Sequence, residues 1–197
     1  MQRNFLRFVR VACLSVITLV LLGGGIAEAQ QDLNKLLNKQ YGTTFFRSCS
    51  QNTAGFGAAN DLLSDGSTRE TAIHGTRTYN GDGTGTVLNF PLNVFDNEAT
   101  GETAASRSQT NCTLTYVVNP DLSFTENLTC AGTILSGPSA TDTFTITGVV
   151  IQGQMSPNRH ILLYSDTDDN VETLTLEPGT RVRLRICGRS GTGVRLK

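Results

Sequence analysis

The sequence predicts an all-β domain: an antiparallel up-and-down β-barrel of about eight strands, preceded by one short helix. Three observations predict it. Apolar and polar residues alternate along many short segments rich in threonine. Turn signals separate those segments at short intervals, which favours antiparallel neighbours over βαβ units. Four cysteines follow the N-terminal leader, and two of them fall opposite each other when the segment between them is folded as a hairpin. A two-sheet β-sandwich is the alternative arrangement of the same strands.

Residues 1–29 read as a signal peptide. Arg3, Arg7 and Arg10 form a positive n-region, and Val11 to Leu22 is an uncharged, mostly apolar run of 12 residues. Gly23, Gly24 and Gly25 end the run, and Ala27-Glu28-Ala29 supplies a small-x-small cleavage pattern before Gln30. The run is too short to span about 30 Å of hydrocarbon as a helix. The expected localisation is therefore secreted or periplasmic, with no membrane insertion after cleavage. The whole chain carries a formal charge of −1, with 16 basic and 17 acidic residues. Removing the three arginines and Glu28 leaves 13 against 16, a net −3. That balance argues against nucleic acid as a partner.

Residues 30–40 carry Leu33, Leu36 and Leu37 at helical spacing, which predicts a short helix laying a leucine face on the domain. Residues 41–197 form the barrel domain. The candidate strands are 41–50, 70–79, 84–95, 110–118, 122–134, 142–154, 159–166, 171–177 and 180–187. The clearest alternation sets Val182, Leu184 and Ile186 against Arg181, Arg183 and Arg185. Phe144 and Ile146 alternate with Thr143, Thr145 and Thr147 in the same way. Each such strand has one buried and one wet face, which places the arginine row outside. Turn signals lie at 80–83 (NGDG), 119–121 (NPD), 156–158 (SPN), 166–170 and 178–179 (PG). Around Pro178-Gly179, one extra loop residue pairs Leu176 with Val182 and Leu174 with Leu184, keeping apolar residues together. Residues 96–109 hold no large apolar side chain and read as a mobile loop. Nine candidates exceed the even count that a closed antiparallel barrel needs, so one of them is irregular or belongs to a neighbour.

Folding 112–134 about Asp121 pairs Leu114 with Leu128, Val118 with Phe124, and Cys112 with Cys130. Directly opposed residues have Cβ atoms near disulfide separation. Cys49 and Cys187 remain to pair, joining the first and last strands. An even cysteine count in an exported chain supports disulfides over a metal centre.

A meander of eight or nine strands with joined ends resembles the calycin type of barrel, that of the lipocalin and avidin relatives, over about 41–187. The resemblance is architectural. The chain has no tryptophan and hence no lipocalin G-x-W box, and the resemblance implies no ligand residues.

Few residues combine into a recognisable site. Asp166, Asp168 and Asn170 offer oxygen ligands at alternate positions, with Glu177 twelfth from Asp166, as in a calcium loop. Val171 stands where such a loop needs glycine, so a solvated hairpin turn is the favoured reading and no metal is expected. Arg181, Arg183 and Arg185 form a possible anion-facing row, but a wet face paired with Glu172 and Glu177 across the neighbouring strand is the favoured reading. His74 and His160 lack neighbours that complete a nucleophile pattern. Asn111-Cys112-Thr113 and Asn127-Leu128-Thr129 match the glycosylation sequon, relevant to a eukaryotic host. No cofactor is implied. Three functions follow in order: a module binding a small ligand in the barrel or, level with it, a structural or protein-interaction module with a filled barrel, and then an enzyme without a recognisable motif.

Overall fold

The computed structural model describes residues 33–63, 66–97, 102–166, 170–177 and 181–197. The signal peptide and the cleavage point expected from the sequence lie outside these residues. Nine strands follow in order: β1 (Gln40–Asn52), β2 (Ser67–Tyr79), β3 (Thr84–Asn97), β4 (Glu102–Val118), β5 (Ser123–Ser136), β6 (Thr143–Met155), β7 (Ile161–Asp166), β8 (Val171–Glu177) and β9 (Arg181–Arg195). Each pairs antiparallel with its neighbours, and β9 returns to pair with β1. The result is a closed up-and-down barrel of eight staves, an architecture compatible with the calycin type.

The odd strand count resolves at β7 and β8. Both pair antiparallel with β6 and with β9: β7 through Gln152↔Ser165 and Asp166↔Arg189, β8 through Thr147↔Thr173 and Val171↔Ile186. They run in the same direction and form two halves of one stave. The segment expected to be a hairpin turn at 166–170 is therefore an interruption within a stave. Opposite it, β6 bulges at Gly148, whose φ of +75° suits glycine. The Asn170 amide donates to the Gly148 carbonyl and ties the two irregularities together.

Other expectations shift in extent. Residues 102–109, expected to be loop, form the first half of β4, paired with β3 and β5. Their inward side chains, Ser106 and Ser108, are small and buried. The last strand continues to Arg195 rather than ending near 187. Of the helix expected over 30–40, the described residues show a single turn, closed by Leu36 N–H to Leu33 O and Leu37 N–H to Asn34 O; Gln40 already belongs to β1. A helix that short has no stability of its own. It is held because Leu37 is fully buried, Leu33 and Leu36 pack on the core, the Tyr116 hydroxyl donates to the Leu37 carbonyl at 2.7 Å, and the Val118 N–H donates to Asn34 Oδ1 at 2.9 Å.

This turn plugs one end of the barrel, and that half is solid. Tyr41, Tyr79, Phe124, Met155 and Leu162 fill it completely. Two phenylalanine rings lie flat across cross-strand glycines: Phe124 opposite Gly153 and Phe45 opposite Gly191. A Cβ at either glycine would overlap the ring. Both disulfides form between directly opposed residues: Cys49–Cys187 closes β1 on β9, and Cys112–Cys130 bridges β4 and β5. The hairpin register that predicts the second bridge is the one observed, Leu114↔Leu128 and Val118↔Phe124 included.

The last hairpin departs from expectation. Leu176 faces Arg181 and Leu174 faces Arg183, not Val182 and Leu184. The turn at 178–180 lies outside the described residues, but the register on either side is clear. A one-residue slip exchanges the two faces of a strand, so Arg185 turns inward and Val182 outward. The cause is Cys187. Its bond to Cys49 requires an inward side chain, and period-two alternation carries Arg185, Arg183 and Arg181 to the same face.

Candidate functional site in the arginine-lined barrel interior

Away from the plug the interior changes character. β1, β2 and β9 contribute guanidinium groups. Arg185 is 1% exposed, Arg47 and Arg189 are 8% exposed, and Arg69 is half-buried. Register explains their convergence. Arg47 lies opposite both Arg189 and Thr71. Thr71 lies opposite Asn93, and Asn93 opposite Ser106. These residues make a polar belt around the wall, linked by hydrogen bonds from Arg47 Nη2 to Thr71 Oγ1 at 3.2 Å and from Thr71 Oγ1 to Asn93 Oδ1 at 3.1 Å.

Carboxylates reach only part of this cluster. Glu172 accepts from Arg185 Nε at 2.7 Å and from Arg189 Nη2, and Asp166 accepts from Arg189 Nη1. Burial alone would raise the Glu172 pKa, but Arg185, Arg189 and Arg47 outweigh it and hold the carboxyl below its ordinary range. Arg47 and Arg69 have no ion pair among the described residues. Burial, then Arg185 and Arg189, push the Arg47 guanidinium well below its ordinary pKa. Burial, then Arg185 and Arg183, bring Arg69 down to about 9. Arg69 stacks over the Phe95 ring at 4.2 Å. Arg47 Nε, Arg69 Nε and Arg185 Nη2 are buried without a hydrogen-bond partner.

The facing wall, from β5, β6 and β8, is apolar: Ile134, Phe144, Ile146, Ile151, Leu174 and Leu176. Between the walls lies a cavity of about 80 Å³. It shares Arg69, Phe95, Ser106, Ile134 and Leu176 with a wider space of about 380 Å³ toward the loop end, where Arg181 and Arg183 stand.

A second buried polar group sits in the solid half. Glu126 is completely buried; it accepts from Arg77 Nη1 and from the Tyr79 hydroxyl, which lies 3.0 Å from the Tyr164 hydroxyl. Arg77 also lies 4.8 Å above the Phe45 ring. In contrast to Arg47, its charge has a carboxylate partner.

Of the residues singled out in the sequence, Arg183 and Arg185 point into the barrel and Arg181 stands exposed at its loop end. Two of the three arginines thus face inward rather than toward solvent. Glu172 does pair with this row, inside the barrel, while Glu177 is exposed at the end of β8. The calcium-loop candidates are dispersed. Asp166 binds Arg189, Asn170 binds Gly148, Glu177 lies at the far end of the same stave, and Asp168 lies outside the described residues. Among the described residues no three His, Cys, Asp or Glu side chains come together as a metal site. His74 is on the outer face, stacked on Phe90 at 5.4 Å, and His160 is exposed. Asn111 and Asn127 are exposed on the outer face.

Sequence reasoning missed Arg47, Arg69 and Arg189. The signal was available in the cysteines. An inward Cys49 places Arg47 and Gln51 inside, and an inward Cys187 does the same for Arg185 and Arg189. No family model, curated protein or solved structure matches this chain.

Proposed function

We propose that this chain is an exported, extracytoplasmic binding protein that holds a small ligand inside the barrel. The observation that carries the reading is the contrast between the two halves. One half is filled by aromatic side chains and the leucine plug, and the other keeps a cavity between a polar and an apolar wall. An eight-stranded barrel is just wide enough for that arrangement. Export is supported by the charged, apolar and Ala-x-Ala succession at the N-terminus, and two disulfides in the barrel accord with an oxidising compartment. A filled-barrel interaction module would present its arginine row outside, whereas Arg183 and Arg185 point inward.

Thermal unfolding of the exported protein with hexanoate, hexan-1-ol and hexanamide tests the reading. At least one should raise the melting temperature, as ligands of a folded state do. Leu176→Trp, at the junction of the two spaces, should abolish the shift. A wild-type protein indifferent to all three would favour the filled-barrel interaction module.

A further inference from the structure

Resting on that ligand-binding reading, we infer that the ligand is a small organic anion. Its oxyanion head lies against the guanidinium groups of Arg47, Arg69 and Arg185, and its body on the apolar wall of Phe144, Ile146 and Leu174. The argument starts from charge. Arg47, Arg69, Arg185 and Arg189 share one interior space, and among the described residues only Glu172 and Asp166 form ion pairs with them. A buried charge without a counter-ion is costly, and like charges held together add to the cost. A bound anion removes both.

Geometry points the same way. Arg47 Nε, Arg69 Nε and Arg185 Nη2, buried donors without partners, come from three strands, β1, β2 and β9; Arg77 Nε is a fourth, but Arg77 already holds Glu126 through Nη1, and all four arginines line the cavity. Guanidinium forks match the oxygens of a carboxylate or phosphate. Water could satisfy the donors but not the charge. A neutral ligand would leave both the charge and its repulsion in place, and a cation would add to the repulsion.

The opposite wall sets the remainder of the molecule. Ile146 and Leu174 are buried and carry no polar side-chain atom, so the surface they offer suits hydrocarbon. A cavity of about 80 Å³ admits on the order of six water-sized centres. The head and a short body of about six carbons fit that scale, and a longer body would extend past Leu176 toward Arg183.

Calorimetric titration of the exported protein with hexanoate, hexanamide and inorganic phosphate at low ionic strength separates the parts of this inference. Hexanoate should bind at least tenfold tighter than hexanamide and tighter than phosphate. Arg47→Met should erase the preference for hexanoate and, without ligand, melt at a higher temperature than wild type. Arg69→Gln, at a partly exposed position, should weaken hexanoate binding by a larger factor than hexanamide binding. Equal binding of hexanoate and hexanamide would overturn the anion inference and leave the binding reading intact. Phosphate binding as tightly as hexanoate would overturn the apolar half. A less stable Arg47→Met protein would make that guanidinium structural and overturn the inference. Failure of every compound to bind would remove the binding reading with it.

Discussion

Arg47 and Arg189 lie directly opposite each other on paired strands and both point into the barrel, yet among the described residues only Arg189 of the two forms an ion pair. The same substitution should therefore act in opposite directions at the two positions. Arg189→Met breaks the ion pairs to Asp166 and to Glu172, and breaking such a buried pair costs about 3–5 kcal/mol. Arg47→Met exchanges an unpaired buried charge for an apolar chain and should stabilise the ligand-free protein by about 1–4 kcal/mol. Urea unfolding of both variants checks the signs.

The two disulfides should differ in effect. They enclose 138 and 18 residues. In the chain-entropy model these loops are worth about 5 and about 3 kcal/mol. Replacing Cys49 and Cys187 by alanine should lower the melting temperature more than replacing Cys112 and Cys130. Scanning calorimetry of the two double variants measures the difference.

Gly153→Ala tests the packing of the plugged half. The added methyl would overlap the Phe124 ring, which is fully buried and cannot move without disturbing Tyr79 and Tyr164. Overpacking of this kind costs about 1–3 kcal/mol, read as a lowered urea midpoint.

Glu172 should leave a mark on acid unfolding. Its folded pKa is held below the ordinary value, so the unfolded chain binds more protons at this site as pH falls. The stabilisation is complete above the ordinary glutamate value of about 4.3 and is lost as pH falls through the folded value. Glu126, pushed up chiefly by burial, acts with the opposite sign. The difference between wild type and Glu172→Gln isolates the first effect. The variant should unfold at lower denaturant near neutral pH, and its stability should fall less steeply as pH drops below the ordinary glutamate value of about 4.3.

Legibility in the sequence followed side-chain size and local pairing. The Cys112–Cys130 hairpin was readable because every apolar pair across it agrees on one register. The first half of β4 was not, because its interior residues, Ser106 and Ser108, are small and polar and leave no apolar alternation to read. β9 was misassigned in facing because its apolar residues alternate as cleanly as its arginines. In a barrel whose interior is polar near one end, hydrophobic alternation no longer says which face is inside. Cys187 decides the matter, since its inward side chain fixes the parity of Arg185 and Arg189. The division of one stave into β7 and β8 lies opposite the irregularity at Gly148 in a different strand, which no local pattern near 166–170 encodes.

The inward facing of β9 is the claim on which the candidate site depends, and thermal unfolding of Val182→Lys beside Arg185→Ala tests it most directly. Val182 is exposed, so its replacement by lysine should change stability by no more than about 0.5 kcal/mol. Arg185→Ala breaks the buried ion pair with Glu172 and should cost about 3 kcal/mol or more. A large loss at Val182 with a negligible one at Arg185 would put the arginines outside and contradict the account.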